Sequence, residues 1–255
     1  MILAAHDLAI GYGDRLVGSG LTVGLRAGEV LALLGPNGGG KTTLLKTLLG
    51  LIPALAGVVE LEGRKLAALT VRERARTVAY VPQVHGGTFA FTVHDMVLMG
   101  RTAHRGMFAR PSDADRAVTQ RMIERVGILP LAERPYTMIS GGERQLALIA
   151  RALAQEPRIV VLDEPTASLD FGNQGKVMRE IRALAASGLA VLFTTHDPNQ
   201  AHRYADRAIL LRDGRCFADG PVRDLLTRER LEALYGARVE EIVSADAAGR
   251  AFLPE

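Results

Sequence analysis

Residues 35–42 read GPNGGGKT, and the apolar run Val30–Leu34 leads directly into them. No other feature of the chain constrains its fold as strongly. The octet satisfies G-x-x-x-x-G-K-[ST], a loop whose backbone N–H groups wrap phosphate oxygens. Gly35, Gly38, Gly39 and Gly40 free the backbone to take left-handed conformations and to approach an anion closely. Behind the loop, residues 41–51 carry Leu44, Leu45, Leu48 and Leu49 at helical spacing. Strand, glycine loop and helix in that order hand the helix N-terminus, with its free N–H groups and favourable dipole, to the anion. Lys41 is expected to reach the terminal phosphates and Thr42 to hold Mg²⁺. Pro36, Asn37 and Thr43 belong to the same nucleotide-binding run.

Short apolar runs alternate with helical patterns along the rest of the chain, which predicts an α/β fold. Residues 58–62 and Val78–Val81 read as strands. Ile159–Leu162 is β-branched and apolar, as a central parallel strand should be. Residues 190–194 and 208–211 repeat that character. Residues 212–214 read as a turn, with 215–219 returning as a hairpin strand. Between Thr92 and Pro135 the periodicity turns helical, so a helical subdomain at about 92–150 is expected inside the α/β core. Residues 1–243 then form a single domain, long enough to bury a full core. The tail 244–255 is expected to be loosely structured.

Composition closes off several classes. Cys216 is the single cysteine, so no internal disulfide can form. No apolar run approaches the ~20 residues of a membrane-spanning helix. The opening MILAAHDLAI lacks the basic and apolar regions of a signal peptide. A cytosolic protein is expected. The net charge is only +3 and the basic residues are scattered, so no nucleic acid is expected as a partner.

Two further motifs carry chemistry. Asp163 and Glu164 follow the strand IVVL, at the end of a parallel sheet where ligands bind. Asp163 suits Mg²⁺, directly or through water. Glu164 suits the polarising of an attacking water. Upstream, Ser140 can cap a helix that begins at Gly141. That N-terminus would offer N–H groups and positive dipole to an anion.

With these motifs in this order, from Tyr12 to His196, the chain resembles the ATP-binding subunit of an ABC transporter. The resemblance implies a P-loop NTPase core: a mixed sheet with flanking helices, an antiparallel β part and an inserted helical subdomain. It implies that Tyr12 stacks on adenine. Gln83 would sense the γ-phosphate and Mg²⁺ and face a transmembrane partner. Ser140, Gly141, Gly142 and Glu143 would form the signature that contacts ATP held by the other subunit. The loop Ser168-Leu169-Asp170 would cross the dimer interface, and His196 would hydrogen-bond the γ-phosphate. A homodimer with two shared ATP sites follows, docked on two integral membrane permease subunits. An extracytoplasmic substrate-binding protein would be an indirect partner, and the subunit would lie peripherally on the cytoplasmic face of the inner membrane. Three positions depart from the family pattern: Ile139 for Leu, Glu143 for Gln, and Gly39 for Ser or Ala.

An unrelated P-loop kinase would leave ISGGE, SLD and His196 without a role. Translation-type relatives carry two cassettes, and repair-type relatives carry long coiled coils; neither is visible here. An exporter cassette stays open. The segments FTVHDMVLMGRTAHRGMF and HDPNQAHRYADR look like the subfamily serving iron-siderophore, haem, cobalamin and some molybdate importers. Iron complexes lead and molybdate or tungstate is the runner-up. Phe89, Phe91, Met96 and Met99 are candidates for a groove that accepts a permease helix, with the subdomain's own core as the competing role for Met96 and Met99.

Overall fold

In the computed structural model, residues 1–83, 91–105, 109–167, 169–243 and 249–255 are described. Phe89 and Ser168 therefore lie outside the described residues, as does 244–248 of the tail. The strands are β1 (Leu3–Tyr12), β2 (Arg15–Leu25), β3 (Val30–Leu34), β4 (Ala56–Leu61), β5 (Arg64–Lys65), β6 (Val78–Val81), β7 (Ile159–Leu162), β8 (Ala190–Thr195), β9 (Arg207–Arg212), β10 (Arg215–Pro221), β11 (Val239–Val243) and β12 (Arg250–Pro254). The helices are α1 (Lys41–Leu48), α2 (Val71–Thr77), α3 (Val93–Leu98), α4 (Asp113–Arg125), α5 (Gly141–Leu153), α6 (Phe171–Ala186), α7 (Pro198–Tyr204), α8 (Val222–Leu225) and α9 (Arg228–Tyr235).

The central sheet runs β10-β9-β3-β8-β7-β6. The four pairings that join β9 to β6 are all parallel, and β10 closes one edge antiparallel to β9. A second, antiparallel sheet runs β2-β1-β4-β5. The run VLALL shows why the central strands do not alternate polar with apolar. Val30, Ala32 and Leu34 point into one core while Leu31 and Leu33 point into another. β7 divides the same way: Val160 and Leu162 face the first core, Ile159 and Val161 the second. A sheet covered on both faces needs apolar residues at every position. The second core is roofed by α1 and the antiparallel sheet, the first by α5 and α6.

The structure adjusts several sequence boundaries. α1 stops at Leu48, short of the expected 51, because Leu49 caps it and Gly50 turns left-handed at φ 66. β4 starts earlier, at Ala56. The helical insertion between β6 and β7 includes short 3-10 turns at Met99–His104, Leu129–Leu131 and Tyr136–Met138. Strands β1 and β2 had no clear sequence signal. Their pairing carries three register shifts, and such irregularities break the two-residue period that marks a strand. The expected loose tail is corrected at its end: residues Arg250–Pro254 form β12 and pair antiparallel with β11. Phe252 of that strand is 2% exposed. Its backbone N–H and C=O are both bonded by the side chain of Asn199 on α7, at 2.8 and 2.9 Å.

Candidate nucleotide site

The phosphate loop begins where β3 ends. Gly35 passes so close to β9 that a Cβ there would lie 2.1 Å from the carbonyl oxygen of Leu211. Gly40 occupies the N-cap of α1 at φ 95, a conformation that only glycine adopts cheaply. At Gly39 a Cβ would meet the Pro36 carbonyl at 3.1 Å and that of Leu211 at 3.3 Å. Glycine therefore relaxes a tight place where the family resemblance leads one to expect Ser or Ala. Pro36, Asn37, Gly38 and Thr43 lie in the same loop-and-helix run, with Thr43 in the first turn of α1.

Lys41 folds back over this loop. Its Nζ donates to the carbonyls of Gly35 at 2.8 Å and Pro36 at 3.0 Å, and the residue is only 5% exposed. Burial lowers the ammonium pKa from its ordinary value, while the charges of Glu164 and Asp163 raise it again. The loop thus holds its own cation.

Asp163 and Glu164 leave the end of β7. The Asp163 N–H donates to the Val81 carbonyl at 2.9 Å, which extends the β6–β7 pairing by one residue. Its carboxylate accepts hydrogen bonds from Thr194 Oγ1 at 2.7 Å, Thr42 Oγ1 at 3.4 Å and the Tyr80 hydroxyl at 3.4 Å. Burial and this neighbouring carboxylate push the Tyr80 phenol pKa well up, so the phenol stays a donor. Glu164 stands in the left-handed region at φ 43. One of its carboxylate oxygens is 3.8 Å from Lys41 Nζ and the other 3.6 Å from His196 Nδ1. His196 follows β8 directly, is half exposed, and gives its backbone carbonyl to the Tyr235 hydroxyl at 2.8 Å. Gln83 lies two residues past β6, at the same end of the sheet as Asp163. Tyr12 closes β1 and is exposed, and the next strand brings Val17 beside Gly40.

Thr42 and Asp163 are both hard oxygen donors. A single hydroxyl and a single carboxylate suit an ion that brings phosphate oxygens with it, as Mg²⁺ does. Among the described residues no group of three or more His, Cys, Asp or Glu could hold a metal ion.

The signature sits apart, on α5. Ser140 caps this helix by accepting the Glu143 N–H at 3.3 Å, and the Glu143 carboxylate accepts the Ser140 N–H at 2.7 Å. This reciprocal capping box resolves the Glu143 departure. The carboxylate turns back onto the cap, and that backbone bond lowers its pKa. Gly141 is the first helical residue. A Cβ on Gly142 would fall 2.5 Å from Asn173 Cγ, so glycine here lets α5 press against α6. Asp170 caps α6, accepting the Asn173 N–H at 2.9 Å and its side-chain amide at 2.7 Å. The signature and the Asp170 turn are thereby locked together within one subunit. Among the described residues their polar groups find partners at the starts of α5 and α6.

Sequence reasoning missed Thr194 and Tyr80. A Thr pair ending the apolar strand β8 was the available signal, since a buried hydroxyl requires a partner.

Residues 19–167 match the family model described as ABC transporter. The chain is 45% identical over 240 residues to a hemin import ATP-binding protein of Gloeobacter violaceus, covering 89% of this chain and 86% of that one. It is 40% identical over 235 residues to a molybdate import ATP-binding protein of Haemophilus influenzae, covering 91% and 87%. Among solved structures, a putative metal-chelate type ABC transporter in an inward-facing conformation superposes with a TM-score of 0.88 at 35% identity, covering all of this chain and 97% of that one. The phosphate loop, the acidic pair at the sheet's end and the capped ISGGE helix are therefore parts of one cassette, and the chain belongs to the ABC transporter family as an ATP-binding subunit, an ATPase coupled to transport.

Proposed function

We propose that this subunit hydrolyses ATP to drive uptake of an iron complex through a membrane permease. One observation carries the catalytic part: Glu164 is held between Lys41 and His196 at the C-terminal end of the parallel sheet. Lys41 exchanges its loop carbonyls for the terminal phosphates and neutralises their charge. Glu164 takes a proton from the attacking water, and His196 orients the same phosphoryl group by hydrogen bonding. Phosphoryl transfer depends chiefly on such positioning and charge stabilisation. Thr42 and Asp163 would hold Mg²⁺, with Gln83 approaching it from β6; the ion supplies charge neutralisation for the phosphates. Tyr12 offers an aromatic face to adenine.

The exposed N-terminus of α5, capped by Ser140, serves the nucleotide of a second copy packed head to tail. Asp170 crosses the same interface. Two cassettes then sit on two permease subunits at the cytoplasmic face of the inner membrane, with an extracytoplasmic binding protein delivering cargo. Among the described residues no helix is long and apolar enough to cross a membrane, which accords with a peripheral subunit. Phe91 and Met99 are exposed and suit the permease contact, whereas Met96 packs against the subdomain core.

The experiment is Glu164→Gln. Losing the base should slow hydrolysis about 10²–10⁴-fold, while ATP still binds and traps a dimer visible by size exclusion. Wild-type turnover in this variant sinks the assignment. For cargo, uptake of labelled hemin, ferric hydroxamate and molybdate is compared in a strain with and without the gene. The second reading is molybdate, favoured by a relative nearly as similar as the hemin one; loss of molybdate uptake alone would select it.

A further inference from the structure

Thr194 bonds both acids of the site, Asp163 through its carboxylate and Glu164 through its backbone N–H. It is 0% exposed, at the penultimate position of β8. Its Oγ1 lies 2.7 Å from Asp163 Oδ1 and 2.8 Å from the Glu164 backbone nitrogen. The direction of both bonds is fixed by chemistry. An ionised carboxylate only accepts, and a backbone N–H only donates. The hydroxyl must therefore donate its proton to Asp163 and accept from Glu164.

We propose that Thr194 is a positioning residue that sets the orientation of both acids, Asp163 toward the metal that accompanies ATP and Glu164 toward the attacking water. This rests on the roles assigned to Asp163 and Glu164 above. Two features make the hydroxyl hard to replace. The site is buried, so water has little access to take its place, and a lost bond leaves the Glu164 N–H unpaired. Glu164 also stands at φ 43, a conformation disfavoured for a residue with a side chain. The N–H bond to Thr194 is a tether that keeps it there. On the Asp163 side, Thr194 has the shortest of the three hydroxyl contacts; Thr42 and Tyr80 both stand at 3.4 Å. Its donation fixes one carboxylate oxygen and leaves the remaining lone pairs to aim at the ion. Groups behind a metal ligand commonly affect metal affinity or activity by about 10–100-fold.

The test compares Thr194→Val, which keeps the shape and removes the hydroxyl, with Thr194→Ser, which keeps the hydroxyl and removes the methyl. ATP affinity is measured by calorimetry with Mg²⁺ and with EDTA, alongside turnover and its Mg²⁺ dependence. The expected result for Thr194→Val is an unchanged affinity for metal-free ATP and a loss of the gain that Mg²⁺ confers. Its turnover should fall about 10–100-fold, with half-saturation shifted to higher Mg²⁺. Thr194→Ser should restore both. The proposal is overturned if Thr194→Val keeps the wild-type Mg²⁺ response and turnover, or if Thr194→Ser is as impaired as Thr194→Val. If Thr194→Val does not fold, Thr194→Ala against Thr194→Ser gives the same comparison at a temperature where both are folded. Glu164→Gln run in parallel separates the two claims: wild-type turnover there defeats the acid-pair assignment, whereas an inactive Glu164→Gln beside an unimpaired Thr194→Val defeats only the role of Thr194.

Discussion

At the scale of single residues, the site is a set of charges that restrain each other before nucleotide arrives. Lys41 is bonded to the loop carbonyls and lies near Glu164. In the proposed mechanism binding transfers that ammonium from protein oxygens to phosphate oxygens, so the lysine contributes only if it gains more there than it gives up. Lys41→Ala should therefore weaken ATP binding in calorimetry and reduce turnover by about 10²-fold or more, as deletion of a preorganised stabilising group does. Unchanged affinity with unchanged hydrolysis would remove the phosphate loop from the mechanism. The residues of this loop were legible in the sequence because its glycines and its lysine sit at fixed offsets. Thr194 was not legible: it lies 31 positions after Asp163 and 30 after Glu164, and only the β7–β8 pairing brings them into contact.

At the scale of elements, capping decides how α5 presents itself. Ser140 and Glu143 close the helix start reciprocally, which leaves the remaining N–H groups of the first turn pointing outward. Ser140→Arg places a bulky side chain where a partner's phosphate would arrive. This variant should bind ATP as a monomer yet fail to dimerise with ATP or hydrolyse it. Multi-angle light scattering with ATP is the measurement, and loss of binding by the monomer would show the signature acting within its own subunit.

The helical insertion is tied to the core by a second device. Buried Arg101 bonds Asp115 at 3.0 Å, Glu156 at 2.7 Å and the Ala154 carbonyl at 2.7 Å. Hydrogen bonds from Ser112, and then Arg101, hold the Asp115 carboxyl down to about 2. A depressed carboxylate stabilises the fold above its unfolded value, near 3.8, and loses that contribution as pH falls toward about 2. Asp115→Asn should cost about 2 kcal/mol at neutral pH, the usual worth of a hydrogen bond to a charged partner. Between pH 5 and pH 2 the variant should also lose less stability than wild type. Denaturant titrations at several pH values read both effects, and parallel curves would refute the coupling. The helical pattern of this insertion was readable, but its anchoring was not, since Arg101 and Glu156 are distant in sequence.

At the scale of the whole molecule, the C-terminal hairpin braces the element that follows His196. Asn199 of α7 clamps the backbone of Phe252, and the Phe252 ring meets His202 edge-on at 6.0 Å between centroids. Phe252→Ala should destabilise the protein by about 3 kcal/mol, the lower range for emptying a buried aromatic site, measured by chemical denaturation. A change below about 0.5 kcal/mol, the level of surface substitutions, would mean that the hairpin is not part of the core. The sequence by itself determined the central strands and the phosphate loop, because double-sided burial writes continuous apolar runs and phosphate binding writes spaced glycines. It also determined the order of motifs from Tyr12 to His196. It could not register β1 and β2 of the antiparallel sheet, whose bulged pairing scrambles the two-residue period, nor the closing hairpin, where Asn199 holds the backbone of the buried Phe252. Contacts between residues far apart in sequence cost loop-closure entropy and leave no local period. The bonds that join Asp163 and Glu164 to Thr194, Asp115 to Arg101 and Phe252 to Asn199 were therefore decided by the tertiary structure alone.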